Sequence, residues 1–258
     1  MLERPLRMGP GHEFKITPGG REMLFVAFVA ERWLQSAPRG PLRFDGEEAE
    51  MAVATLVEGW SSTVMHALAA KPVGLDELDR TIENLSPRAL RRHLVAMQSS
   101  GQVEARGTAG GGTLYAVTDW LRAGIAPLAA AARLEQRKPV DDLVPIAALD
   151  VEAAFLLTLP LLELPSEISG SCRLGVQVRD EGKAMLAGVT ALVEEGRVVS
   201  CAVGLEGEVD AWATASAADW LDTVIEPDAK RVSTGGNRHL SKALLSALHA
   251  KLFGVPVG

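Results

Sequence analysis

Cysteine is nearly absent from this chain: Cys172 and Cys201 are the whole complement in 258 residues. Two thiols cannot form a disulfide framework or a cysteine-rich metal site. The five histidines, His12, His66, His93, His239 and His249, show no metal-ligand spacing such as His-Glu-x-x-His. No Gly-x-Ser-x-Gly elbow, phosphate loop or dinucleotide fingerprint is present. The sequence therefore calls for no metal or cofactor and names no catalytic residue. Asp210, Asp219 and His239 are the groups to test for proton transfer. Long apolar runs are missing too. The longest, Ala153 to Leu162, is broken by Pro160 and falls short of the ~20 residues a membrane helix needs. The first residues, Met1-Leu2-Glu3-Arg4-Pro5, lack the apolar segment of a signal peptide. These absences predict a cytoplasmic chain with no membrane partner.

What is present is a large apolar fraction, 47%, and an excess of acid, with a net charge of −7. The apolar fraction excludes wholesale disorder. The acid is unevenly placed. Residues 1–140 carry 17 basic and 16 acidic side chains, and residues 141–258 carry 9 and 17. Such asymmetry predicts different partners for the two halves. The change falls at Arg137-Lys138-Pro139-Val140-Asp141-Asp142, and Pro139 disfavours a helix through Lys138, so a boundary is expected near residues 138–149.

The N-terminal part contains a repeat. At an offset of 101 positions, Leu2-Glu3 falls on Val103-Glu104, Phe14-Lys15-Ile16-Thr17 on Tyr115-Ala116-Val117-Thr118, Arg21 on Arg122 and Arg32 on Arg133. Both stretches read as strand, glycine-rich turn, strand, then a threonine capping a long helix. The first copy has no counterpart to what precedes residue 103, so the chain is expected to start in mid-repeat.

Before residue 103, apolar spacing at Ala52, Leu56, Val57, Trp60, Val64 and Leu68 predicts one helix over residues 52–69. A short helix follows over 74–82. Ser86 as N-cap and Pro87 at the first helical position open a third helix, expected from Pro87 to Ser99. Leu90, Leu94 and Met97 form its apolar side, with Arg88, Arg91, Arg92 and His93 opposite. Strands at Val103–Arg106 and Thr113–Val117 flank a glycine-rich turn. This is the element order of a winged helix-turn-helix, whose third helix enters the DNA major groove. Ser86, Arg88, Arg91, Arg92, His93 and Arg106 are the candidate DNA-binding residues, with the arginines able to reach phosphates or guanine edges. The same residues also suit an ordinary solvated face.

The run from Gly59-Trp60 through Val64-Met65-His66-Ala67-Leu68, Leu75-Asp76-Glu77-Leu78, Leu85-Ser86-Pro87-Arg88-Ala89-Leu90, Arg92-His93-Leu94, Gly101-Gln102-Val103-Glu104-Ala105-Arg106 and Leu114-Tyr115-Ala116-Val117-Thr118 resembles the HxlR-type winged-helix regulators. The resemblance covers roughly residues 50–137 and implies a dimeric DNA-binding fold. Two features depart from it: Gln102 stands where the family commonly has leucine, and the hairpin has no lysine or arginine beyond Arg106.

The acidic half opens with an apolar helix, Asp150 to Leu159, and then alternates. Cys172, Leu174, Val176 and Val178 share one strand face. A second strand covers residues 183–193. A third places Val199, Cys201, Val203 and Leu205 together. Another strand starts at Asp210, and Ser216 caps a helix carrying Trp220, Leu221, Val224 and Ile225. A last strand is expected near 231–233 and a final helix over 240–253. The hairpin through Gly196, the Asp210-Ala211-Trp212-Ala213-Thr214 strand with the helix at Trp220-Leu221, and Gly235-Gly236-Asn237 resemble the sterol-carrier-protein type domain. That resemblance implies an apolar tunnel between sheet and helices for a hydrophobic small molecule. Phe155, Leu159, Trp212, Leu244 and Leu248 are the candidate lining; ordinary core packing also accounts for them.

The reading is thus an α+β chain in three parts. Residues 1–45 are a partial winged-helix repeat, 46–140 a winged helix-turn-helix, and 141–258 an antiparallel sheet with helices. The expected function is transcription regulation, with double-stranded DNA and an apolar effector as partners, in a homodimer formed by the long helices after Thr17 and Thr118. The competing expectation is a carrier, sequestering protein or repurposed biosynthetic enzyme for a hydrophobic metabolite, with the winged helix as scaffold.

Overall fold

The computed structural model describes residues 15–108, 110–137, 145–180, 183–226 and 231–254. The first hairpin of the proposed repeat and most of the expected linker lie outside these residues. The structure is mixed α and β.

Helix α1 (Pro18–Gln35) is capped by Thr17, whose hydroxyl accepts from the Gly20 N–H at 3.0 Å. The expected helix over 52–69 is two helices, α2 (Glu47–Ser61) and α3 (Val64–Ala69). Thr63 between them has φ 62°, a left-handed conformation that cannot continue a helix. Strand β1 (Val73–Gly74), helix α4 (Leu75–Thr81) and helix α5 (Pro87–Ser99) follow. Ser86 caps α5 by accepting from the Ala89 N–H at 3.3 Å. Strands β2 (Val103–Gly107) and β3 (Thr113–Val117) form an antiparallel hairpin, and β1 joins the free edge of β3. The helix after Thr118 is broken into α6 (Asp119–Ala123) and α7 (Ile125–Gln136). Pro127 has no N–H to return to the Ala123 carbonyl, so the ladder lapses at Gly124.

Together α6 and α7 span residues 119–136, which is α1 displaced by 101 positions at both ends, with Thr118 capping as Thr17 does. These two helical segments pack against each other within the chain. Trp33 and Trp120 stack at 4.5 Å, and each indole N–H donates to the other's carbonyl, at 2.8 and 2.9 Å. Glu22 pairs with Arg137 at the other end. The sides of these helices that face each other are buried within the chain, so a contact between copies has only their other sides to use.

The C-terminal half begins with α8 (Ala148–Thr158) and a 3-10 turn over Leu159–Leu161. Strands β4 (Gly170–Asp180), β5 (Lys183–Glu194) and β6 (Arg197–Val203) form a meander. Strand β7 (Ala211–Ser216) leads into α9 (Ala217–Ile225). Strand β8 (Ser233–Gly236) leads into α10 (Arg238–Leu252). The strand order is β6-β5-β4-β7-β8. The expectation of a wholly antiparallel sheet is corrected, because β7 runs parallel to β4. Residues 204–210 cross back to the far side of the meander, and Arg173 on the open face donates to the Gly207 carbonyl of that crossing.

One face of the sheet is dry. Cys172, Leu174, Val176 and Val178, Ala187, Val189, Ala191 and Val193, and Ala211, Ala213 and Ala215 are all buried there under α8, α9 and α10. The alternate residues face outward, the usual pattern of a one-sided sheet. On β6 the expected face is disturbed. The register shifts at Leu192/Val193, so Val199 falls out of alternation and is 51% exposed. A single cluster of buried side chains runs from Trp33 through Leu90 and Leu121 to Leu174 and Leu248. The N-terminal helices and the C-terminal sheet therefore share one core.

Candidate functional site

Two features stand out, a basic helix face and an apolar cavity, and α7 lies between the parts that carry them.

The amphipathic spacing of α5 buries Leu90, His93, Leu94 and Met97 and leaves Arg88, Arg91, Arg92 and Val95 outward. None of the three arginines has an ion-pair or hydrogen-bond partner among the described residues. Val95, 60% exposed beside them, is an apolar side chain that the sequence reading overlooked. It is one helical turn from Arg91, and that spacing was the signal. Ser86 spends its oxygen on the cap at the start of this face. One candidate is corrected, and a second has a partner on its own strand face. His93 points into the protein, where Nδ1 is 3.5 Å from Glu58 and Nε2 is buried without a partner among the described residues. Burial, helped by the nearby Arg92 charge and opposed by Glu58, holds its pKa below the ordinary value. Arg106 is exposed but pairs with Glu104 on its own strand face, which cancels the wing's positive charge locally.

The apolar cavity has a volume of about 120 Å³. Ile125 and Ala129 of α7 form one wall, Val151, Ala154 and Phe155 of α8 another, and Trp220, Leu221 and Val224 of α9 a third. Leu248 and Leu252 of α10 close it. Phe155 and Trp220 meet edge to face at 5.4 Å, and the Trp220 indole is fixed by donating to the Gly175 carbonyl at 2.7 Å. The one hydroxyl among the described lining residues, Thr158, donates to the Ala154 carbonyl at 2.7 Å. Among the described residues no carboxylate, imidazole, thiol or amine lines the space.

Of the five candidate ligand-binding residues, Phe155 and Leu248 line the cavity. Leu159 and Leu244 are fully buried core residues outside it. Trp212 is corrected outright. Its β7 position faces away from the helices, 37% exposed, with the ring laid over Gly235, where a side chain would come within 2.4 Å of it. Asp210, Asp219 and His239 lie outside the cavity as well. Asp210 accepts from the Ser171 N–H and hydroxyl, which hold its pKa below the usual carboxylate range. Asp219 accepts from the capping Ser216. Cys172 and Cys201 are free, and burial pushes both thiols up to about 12, far from a reactive thiolate.

Several contacts tie the two halves together, among them Arg32 of α1 donating to the Leu252 and Gly254 carbonyls at 2.8 and 2.6 Å. His66 Nε2 of α3 lies 3.0 Å from Asp150 of α8. Burial by itself would raise Asp150, but hydrogen bonds from His66, the Ala147 N–H and Trp60 hold it below its ordinary value. Arg122 of α6 donates to the Leu156 and Leu157 carbonyls at the end of α8, at 3.0 and 3.1 Å. Arg133 of α7 is buried between Asp222 of α9 and Glu226, which caps that helix. Its desolvation is outweighed by Glu226, Glu22 and Asp222, which raise its pKa. Among the described residues no helix is long and apolar enough to cross a membrane, and no acidic, histidine or cysteine group is placed to hold a metal.

No family model matches this chain, and no curated protein does.

Proposed function

We propose that the chain is a DNA-binding transcription regulator controlled by a hydrophobic small molecule. In this reading residues 46–140 are a winged helix-turn-helix with α5 as recognition helix. Residues 141–258 are a sterol-carrier-like domain, and residues 1–45 are the trailing part of a second winged helix. The observation that carries it is the position of the cavity. Ile125 and Ala129, on the helix that follows the β2–β3 hairpin, are part of its wall. A ligand there touches both halves of the protein at once. It alters DNA affinity if it favours one arrangement of α7 against α8 and α9 over another. The lining selects an uncharged, hydrocarbon-like effector, since a charge would be desolvated there without compensation. For scale, an engineered apolar cavity of roughly 150 Å³ in another protein accommodates benzene.

The test is binding of the purified protein to mixed genomic fragments at about 150 mM salt, where surface charges are partly screened. The regulator retains and enriches particular fragments. Arg91→Ala with Arg92→Ala then lowers affinity and reduces the salt slope by roughly 0.9 per lost phosphate contact. Unchanged binding by the double variant overturns the assignment of α5. The second reading, a carrier, sequestering protein or repurposed biosynthetic enzyme, draws on the Arg106–Glu104 pair, which leaves the wing without a free cation among its described residues. Its signature is an apolar ligand that co-purifies with protein retaining no DNA.

A further inference from the structure

Among the described residues the repeat leaves one helix face uncovered. On the α6–α7 segment, Arg122, Ile125 and Ala129 lie on the side held by the C-terminal half. Arg122 caps α8, and Ile125 and Ala129 line the cavity shared with α8 and α9. Their counterparts 101 positions earlier are Arg21, Leu24 and Phe28 of α1. On α1 nothing among the described residues covers that side. Leu24 is 57% and Phe28 52% exposed, with Met23 beside them at 55%. The Arg21 guanidinium reaches no further than the local Ile16 carbonyl at 3.4 Å. The exposed positions recur as Arg21, Leu24, Phe28, Glu31 and Gln35, alternating three and four apart, the spacing of a helix-pairing seam.

We infer that this face binds the same face of a second copy, as an antiparallel α1–α1 pair across a two-fold axis. The charges choose both the occupant and the direction. With the axis between Leu24 and Phe28, Leu24 of each copy meets Phe28 of the other, and Arg21 of each meets Glu31 of the other. A parallel pair would instead set Arg21 against Arg21 and Glu31 against Glu31. The seam is a single helix face, smaller than the ~800 Å² per partner of a standard interface, so the dimer forms and dissociates with concentration. The inference is independent of whether α5 binds DNA.

Sedimentation velocity of the full chain over about a hundredfold range of concentration tests it. Wild-type protein shifts from monomer to dimer. Leu24→Glu with Phe28→Glu raises the dissociation constant at least about tenfold, while the far-ultraviolet circular dichroism stays that of the wild type, because both side chains are exposed. Arg21→Glu alone weakens the dimer, and adding Glu31→Arg restores it. The restoration tests the antiparallel register and is indifferent to surface hydrophobicity. A wild type that stays monomeric, a dimer indifferent to the changes at 24 and 28, or a charge exchange that fails to restore association overturns the inference.

Discussion

Ala129→Leu is the change that most directly tests whether the space between α7, α8 and α9 is a usable pocket. Ala129 lies in the middle of α7 and its methyl faces the cavity of about 120 Å³. Leucine adds about three carbons, which at ~0.8 kcal/mol per buried CH₂ yield ~2.4 kcal/mol if they enter unfilled apolar space. Lost rotamer freedom subtracts ~0.5–1 kcal/mol and the slightly lower helix propensity ~0.2 kcal/mol. A net stabilisation of about 1.2–1.7 kcal/mol is expected. In a close-packed core the same insertion would cost about 1–3 kcal/mol, so the two descriptions differ in sign. Urea unfolding followed by circular dichroism reads this as a rise in midpoint at unchanged slope. The variant should also lose the ligand response. A small apolar compound at about 100 times its dissociation constant stabilises the wild type by ~2.7 kcal/mol and leaves the leucine variant unmoved. A lowered midpoint would refute the cavity as described, and undiminished ligand stabilisation would refute its role as the effector site.

Two further outcomes follow from buried polar groups. His93 has a folded pKa below its unfolded value of about 6.5, so on acidification the unfolded chain takes up this proton first. Its contribution is complete above about pH 6.5 and is lost as pH falls through the folded pKa. His93→Gln should therefore flatten the midpoint-against-pH curve below pH ~6.5, and a curve parallel to that of the wild type would contradict the buried neutral imidazole. Gln102 is fully buried. Its amide donates to the Ala52 carbonyl at 2.8 Å, while Oε1 has no partner among the described residues. Gln102→Leu relieves that orphan oxygen and should be neutral or stabilising by up to ~1 kcal/mol, whereas Gln102→Ala leaves a void and should cost ~2 kcal/mol or more. Equal losses from both would show that the Ala52 bond matters more than the unpaired oxygen.

Local chemistry was legible wherever it acts over a few residues. Ser86-Pro87 places the start of α5, and Gly101, at φ 82°, ends it after Ser99. Thr17 and Thr118 cap equivalent helices because each hydroxyl needs only the N–H three residues on. The alternation in β4 likewise marks its dry face. The sequence by itself therefore determined the order of elements, the outward arginines of α5 and the repeat in α1 and α6–α7. It could not place what depends on residues far apart in the chain. Trp212 looked like a pocket wall because strand parity alone does not say which side the helices cover. His93 looked outward because a helical wheel assigns it to the margin of the apolar face, and only the packing of α2 beside α5 turns it in. The cavity belongs to α7 as much as to the sheet domain. Among the described residues the Leu24–Phe28 face of α1 is uncovered because the C-terminal half meets α1 on another side, at Phe25 and Arg32, while on α7 it covers the side that carries Ile125 and Ala129. Those are matters of which surfaces meet, and burial of one face against another is decided by the whole fold rather than by any local run of residues.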